Sequence, residues 1–202
     1  NTGGMGAISP APVVSDDLHQ MVIDEIIRPT AAGMVADGHP FTGFLYAGLM
    51  VTRGGAKVLE FNVRLGDPET QPILMRLKSD LCEALLTTLD GGLAGLELEW
   101  DSRASIGVVM AAGGYPDAYD KGDPITGLGL DGPDQVKVFH AGTRLEGDTV
   151  VTNGGRVLCV TGLGETLEQA HGEVYRWLPR IGFRKAYWRG DIGHRALARS
   201  ND

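Results

Sequence analysis

Apolar and polar positions alternate along this chain with two different periods. Residues 1–14 are rich in Gly, Pro and Ala and read as loop. Ser15-Asp16-Asp17 then offers a side-chain cap and early negative charge, which start a helix. Leu18, Met21, Val22 and Ile26 follow at helical spacing. Pro29 is expected to break or restart that helix, with further turns to about residue 36. The period then changes. Residues 43–52 read as a strand, Arg53-Gly54-Gly55-Ala56 as a turn, and 57–63 as the returning strand. Gly66-Asp67-Pro68 ends the hairpin. Residues 71–90 read as helix, with a possible break near Ser79-Asp80 and a stop at Gly91-Gly92.

The second half reads differently. After a loose stretch over 91–103, residues 105–112 form a short, nearly continuous apolar strand. Residues 117–134 are rich in Gly, Asp and Pro and read as loop. Short strands are expected at 135–141, 143–146, 149–152 and 156–163, with turns at Gly147-Asp148 and Asn153-Gly154-Gly155. An amphipathic helix over about 165–181 carries Leu167, Ala170, Val174, Trp177 and Leu178 on one face. No internal repeat appears. The pattern predicts an α+β fold with a boundary near residue 98: a hairpin-and-helix part over 1–98, then a small, mostly antiparallel sheet with a closing helix over 99–202.

Composition adjusts this picture little. The chain has 202 residues, of which 30 are glycine, with no Gly-X-Y period that would indicate collagen. Net charge is −8, which argues against a nucleic-acid partner. Residues 1–100 carry 6 basic and 13 acidic side chains, whereas 101–202 carry 12 and 13. Arg176, Arg180, Arg184, Lys185, Arg189, Arg195 and Arg199 have only Asp191 and Asp202 among them. That run is either a solvated face or a surface that meets an acidic partner domain or a phosphate. Cys82 and Cys159 fall in apolar patterns and are expected to be small buried thiols of a reducing compartment. No apolar run approaches a membrane span and no signal peptide is visible, so the expected location is the cytoplasm.

Candidate chemistry concentrates in Val58-Leu59-Glu60-Phe61-Asn62-Val63-Arg64. Strand alternation predicts Leu59, Phe61 and Val63 facing a core and Glu60, Asn62 and Arg64 in a row on the other face, roughly 6.6 Å apart. A carboxylate and an amide oxygen are hard donors suited to Mg²⁺ or Mn²⁺. A guanidinium beside them suits phosphate oxygens whose charge grows during phosphoryl transfer. A half-exposed strand with mixed polar residues accounts for the same spacing. Gly66-Asp67-Pro68-Glu69-Thr70 favours the first alternative, because it adds two carboxylates at a turn and helix start. Asp67 also fits a helix N-cap. The glycine-rich start, with Gly3, Gly4 and Gly6, either presents backbone N–H groups to an anion or is a plain loop. It lacks the Gly-Lys-Ser/Thr of a Walker motif. The five histidines show no metal spacing, there is no Gly-x-Ser-x-Gly elbow, and two distant cysteines do not make a zinc site.

Six stretches together resemble the phosphoribosylamine–glycine ligase family of ATP-grasp enzymes. They are Asn1 to Pro12, Thr42 to Met50, Leu59 to Gln71, Gly107 to Pro116, Val151 to Leu158 and Asp191 to Ala196. The one departure noted is Leu65, where the family pattern has Phe. The resemblance implies that 1–98 is the C-terminal part of an ATP-grasp domain and 99–202 the family's C-terminal domain. It implies ligation of glycine to 5-phosphoribosylamine with ATP, through a glycyl phosphate, in purine synthesis. By the same resemblance Glu60 and Asn62 match the metal ligands and Arg64 the arginine near the transferring phosphate. Asp67, Glu69, Asp191, Arg195 and the glycines are expected near phosphate or substrate. For Asp191 and Arg195 the alternatives are the phosphoribosyl end of the site, a missing N-terminal domain, or a local salt bridge. The chain lacks an initiator Met, and the resemblance implies a C-terminal half, inactive by itself, whose partner is the N-terminal half of the same enzyme. Other readings are an ATP-grasp ligase for another amine and a non-catalytic binding module.

Overall fold

A computed structural model describes residues 4–52, 54–130 and 132–199. Packing divides the chain into two compact units. The first comprises the described residues of Asn1–Pro10, Asp67–Leu77 and Trp100–Asp202. The second comprises Ala11–Gly66 and Lys78–Glu99. Packing thus groups the chain differently from a single cut at 98, because the start of the first half and its internal stretch Asp67–Leu77 join the first unit. The α+β class read from the sequence holds.

The first unit is built on a four-stranded antiparallel sheet in the order β1-β4-β8-β5, where β1 is Gly6–Ser9, β4 Ala104–Ala111, β5 Val136–His140 and β8 Arg156–Gly164. Residues 1–14 were expected to be loop, and β1 corrects this. Four residues carry too little periodicity to announce a strand, and pairing of Gly6 to Val108 through Ser9 to Ser105 supplies what local pattern lacks. Strands β4 and β8 sit between neighbours and are buried on both faces, which is why their sequences are nearly continuous apolar runs. Ile106, Val108, Met110, Leu158 and Val160 point to one face. There they meet Leu167, Ala170, Val174 and Trp177 of α5 (Leu167–Trp177). Gly162 lets that helix approach, since a Cβ there would lie 2.7 Å from Val174. Each of these large apolar side chains contributes about 1.5–3 kcal/mol by leaving water. The other face carries Val109, Ala111 and Cys159 with Met5, and α3 (Thr70–Arg76) packs on it. Arg76 fastens α3. Its Nε donates to the carbonyls of Asp101 and Arg103, at 3.2 and 2.8 Å, and its Nη1 to Ser9 Oγ at 2.9 Å. A separate hairpin pairs β6 (Thr143–Glu146) with β7 (Thr149–Thr152), and α6 spans His194–Arg199.

The second unit begins with α1 (Asp16–Val22), capped by Ser15 as expected. At Pro29 the helix restarts rather than breaks, the second of the two expected outcomes. A π-helical turn over Ile23–Ile27 runs straight into α2 (Arg28–Ala36), with Pro29 in its first turn. Proline has no N–H to donate, and the wider turn before it is where the helical ladder is interrupted. Strands β2 (Tyr46–Thr52) and β3 (Gly55–Asn62) form a two-stranded ribbon. After α3, Asp80 caps α4 (Leu81–Leu89), so the break near Ser79-Asp80 is real. Two expectations fail here. Leu59, Phe61 and Val63 do not enter a core but are exposed, in a two-stranded ribbon where each strand has one partner. Cys82 is also exposed, on the first turn of α4. Among the described residues no helix is long and apolar enough to cross a membrane.

Candidate functional site

The register of the ribbon decides how the candidate row is presented. Asn62 pairs with Tyr46 and Glu60 with Gly48, and the next pair is Val58 with Leu49. Leu59 is therefore the extra residue of a β-bulge, which bends the strand beside the row. Gly48 lies directly opposite Glu60, and a Cβ at Gly48 would stand 3.0 Å from Glu60 Cγ. The glycine makes room for the carboxylate to lie across the ribbon. Arg64 lies two residues past the end of β3, yet the three polar side chains still converge. Asn62 Nδ2 donates to Glu60 Oε1 at 3.1 Å, and Arg64 Nη2 donates to Asn62 Oδ1 at 3.4 Å. Arg64 Nη1 also donates to the Leu65 carbonyl at 2.9 Å, which tethers the guanidinium while leaving other N–H donors free to turn outward.

This donor set fits a hard divalent cation. Glu60 Oε1 and Asn62 Oδ1 belong to adjacent side chains on one face, and Mg²⁺ commonly takes one or two carboxylates and fills its shell with water and phosphate oxygens. Among the described residues no group of three or more His, Cys, Asp or Glu side chains is arranged to hold a metal.

The other candidate residues lie in the first unit. Gly3 falls outside the described residues. Gly4 has φ of +80°, and a Cβ there would stand 2.0 Å from Arg156 Nη1. Gly6 is a residue of β1, and a Cβ there would meet Ile192 at 2.6 Å and the Gly107 carbonyl at 2.8 Å. Close packing accounts for both glycines. Asp67 is not the cap of α3; that position is Glu69, whose side chain makes no capping bond. Asp67 instead pairs with Arg156, Nη2 to Oδ2 at 2.6 Å. Asp191 is gripped by Arg189 through both carboxylate oxygens, at 2.7 and 2.6 Å. That bond holds the Asp191 carboxyl below the usual carboxylate range. Tyr175 fixes the same segment by donating to the Arg189 carbonyl at 2.6 Å and accepting from Ile192 N at 3.2 Å. Arg195 is exposed on α6.

The basic run read from the second half is largely paired. Arg184 meets Asp123 at 2.8 Å and Asp120 at 3.0 Å, Arg176 pairs with Glu173, and Arg180 stacks 4.8 Å from the Trp177 ring. The sequence showed few partners because those of Arg184 lie 61 and 64 residues away. An open cleft of about 600 Å³, lined among others by Arg103, Gln135, Glu165, Glu168 and Arg176, contains none of the candidate residues. Arg156, which brings Gly4 and Asp67 together, was not singled out from the sequence. Its only signal was its place in the matching stretch Val151 to Leu158.

Two family models match the chain. "Phosphoribosylglycinamide synthetase, ATP-grasp (A) domain" covers residues 1–70, and "Phosphoribosylglycinamide synthetase, C domain" covers 105–195. A phosphoribosylamine–glycine ligase from Allochromatium vinosum is 56% identical over 200 residues, which is 98% of this chain and 47% of that protein. Its counterpart in Escherichia coli K12 is 56% identical over 204 residues, covering 100% of this chain and 48% of that protein. The crystal structure of phosphoribosylamine–glycine ligase from Thermotoga maritima superposes with a TM-score of 0.78 at 37% identity, over 95% of this chain and 46% of that one. The chain spans about half the length of the curated relatives it matches. With two consecutive domain models, relatives above half identity along its whole length and the shared fold, the chain belongs to the phosphoribosylamine–glycine ligase family of ATP-grasp enzymes.

Proposed function

We propose that this chain is part of an enzyme that joins glycine to 5-phosphoribosylamine at the expense of ATP, giving glycinamide ribonucleotide, ADP and phosphate. The observation that carries the reading is the hydrogen-bonded row Glu60–Asn62–Arg64, in a chain of this family. In the first step a glycine carboxylate oxygen bonds to the γ-phosphorus while the bond from that phosphorus to the bridging oxygen of ADP breaks. In the second, the amine nitrogen of phosphoribosylamine bonds to the carbonyl carbon of glycyl phosphate. The C–O bond to phosphate breaks and the nitrogen releases a proton. Arg64 donates N–H groups to the phosphoryl oxygens as their charge grows, which lowers the barrier most when the donor is already oriented. Its tether to Leu65 and Asn62 supplies that orientation.

Glu60 and Asn62 would hold Mg²⁺ or Mn²⁺, which when bound neutralises charge on the nucleotide phosphates. Asp67, Glu69, Asp191, Arg195 and the backbone at Gly4 and Gly6 are assigned to the substrate side of the site. The firm Arg189–Asp191 pair favours a positioning role for Asp191 over direct contact. The two family models support inherited domains at 1–98 and 99–202. The remainder of the ligase is taken to supply most nucleotide and ribosylamine contacts, and the assembled enzyme to work in the cytoplasm.

The test is Glu60→Ala in the complete ligase that carries this chain. Glycine-dependent ADP release is expected to fall at least about 100-fold, with Asn62→Ala and Arg64→Ala close behind. Unchanged release from Glu60→Ala would favour a binding module. The 202-residue chain alone is expected to show no turnover, because catalysis needs all reactants positioned and water excluded.

A further inference from the structure

Arg156 makes a contact that the reaction as described does not use. It begins β8, inside the C-domain match, and its guanidinium reaches two places 152 and 89 residues away in sequence. Nη1 donates to the Gly4 carbonyl at 3.3 Å and to the Asp67 carbonyl at 2.9 Å, and Nη2 donates to Asp67 Oδ2 at 2.6 Å. Both targets lie in the ATP-grasp match. The arginine side chain is 27% exposed and Asp67 50%, so the pair is partly withdrawn from water.

The surroundings are built for this contact. The β4–β8 register steps from Met110–Leu158 to Ala111–Arg156, so Val157 is the extra residue of a bulge that re-aims its neighbour. The backbone of Arg156 is held from outside, since its carbonyl accepts from Gly142 N at 2.9 Å. The preceding turn is pressed into place, because a Cβ at Gly155 would stand 2.3 Å from the Tyr115 ring. At the far end, Gly4 is needed twice over. Its φ of +80° suits glycine, and the space a side chain would fill is taken by Arg156 Nη1 at 2.0 Å. A lysine, with a single point charge, cannot meet two carbonyls and a carboxylate in one plane.

We propose that Arg156 is a positioning residue of the ligase reaction, contributed by the C domain, which clasps Gly4 to Asp67 within the first unit. This rests on the assignment of Glu60, Asn62 and Arg64 above. Arg156 itself acts through the Gly4 carbonyl and through the carbonyl and carboxylate of Asp67, and touches no substrate.

The experiment uses the complete ligase and compares Arg156→Ala, Arg156→Lys, Gly4→Ala, the Gly4→Ala/Arg156→Ala double variant, and Glu60→Ala. Arg156→Ala is expected to lower kcat for glycine-dependent ADP release about 10- to 100-fold at saturating substrates, as small displacements of a catalytic turn do, with KM for ATP changed less than about twofold. Arg156→Lys recovers part of that loss. Gly4→Ala costs activity in the wild-type background and adds little once Arg156 is Ala, because both break one clasp. An unchanged kcat with only a lowered melting temperature, or fully additive Gly4 and Arg156 effects, overturns the proposal. Should Arg156→Ala not fold, the kcat of Arg156→Lys decides in the same way. Loss of ADP release in Glu60→Ala with normal kcat in Arg156→Ala defeats the clasp alone. Normal release in Glu60→Ala defeats the site assignment itself.

Discussion

Strands β3 and β4 were both expected to turn apolar side chains into a core, and the structure treats them in opposite ways. β4 lies between β1 and β8, with α5 on one face and α3 on the other, and from Ser105 to Ala111 every residue is buried. β3 has one neighbour, and Leu59 and Val63 are 64% and 72% exposed. A strand's pattern says which side chains share a face. Whether that face is buried depends on what packs against it, and two-stranded ribbons by themselves are of marginal stability. The row proposed for metal and phosphate sits on the less packed region, while the sheet with the continuous core holds the Arg156–Asp67 pair.

The largest test of this contrast is a pair of leucine truncations. Leu158→Ala removes a fully buried side chain from between β8 and α5 and is expected to cost about 2–5 kcal/mol. Leu59→Ala, on the bulge of β3, is expected to cost less than about 0.5 kcal/mol. Urea denaturation followed by the fluorescence of Trp177, which packs in the same core as Leu158, reads both. Similar costs at the two sites would erase the distinction between the regions.

Much of the first unit was legible because its signals are local. The strands at 136–140, 143–146, 149–152 and 156–164 fall within a residue or two of where alternation and turn residues put them. The cap at Ser15 and the break near Ser79-Asp80 were visible for the same reason. What stayed hidden depends on long-range partners. Nothing in Gly-Ala-Ile-Ser announces β1, which exists because it pairs with β4. Pairing of Arg184 with Asp120 and Asp123, and of Arg156 with Asp67, spans sixty or more residues. The row Glu60–Asn62–Arg64 was readable as a shared face, but its hydrogen bonds, the bulge at Leu59 and the space left by Gly48 were not.

The two cysteines sharpen the contrast at intermediate size. Burial pushes the Cys159 thiol up to about 11, with the Asp67 carboxylate adding to the effect. Between the ordinary thiol value of 9.0 and about 11, the unfolded chain has lost that proton and the folded chain still holds it. The unfolded state then binds fewer protons, so stability falls as pH rises through that window, by at most about 1.4 kcal/mol per pH unit, and levels off above it. Below pH 9 this group adds no slope. Cys159→Ala is expected to remove that component from a stability-versus-pH profile. A thiol reagent at pH 8 should label exposed Cys82 within minutes and Cys159 only after unfolding. Equal labelling rates in the folded protein would show that the sheet opens as readily as the start of α4.

The smallest effects come from matched helix caps. Thr166 Oγ1 accepts one bond, from Gln169 N at 3.3 Å, at the start of α5. Asp80 Oδ1 accepts two, from Cys82 N at 2.7 Å and Glu83 N at 3.1 Å, at the start of α4. By local geometry Asp80 is the better cap, and alanine at either position costs its helix about 1 kcal/mol. The regions transmit that loss differently. α5 is packed through Leu167, Ala170, Val174 and Trp177 into the core, so Thr166→Ala should lower global stability by roughly its full local cost. α4 keeps Leu85, Leu86 and Leu89 exposed, so Asp80→Ala should appear as faster hydrogen exchange across its first turn while the main unfolding transition stays in place. A global loss from Asp80→Ala as large as that from Thr166→Ala would mean that α4 unfolds with the sheet, and that exposed apolar side chains do not mark the more weakly held region.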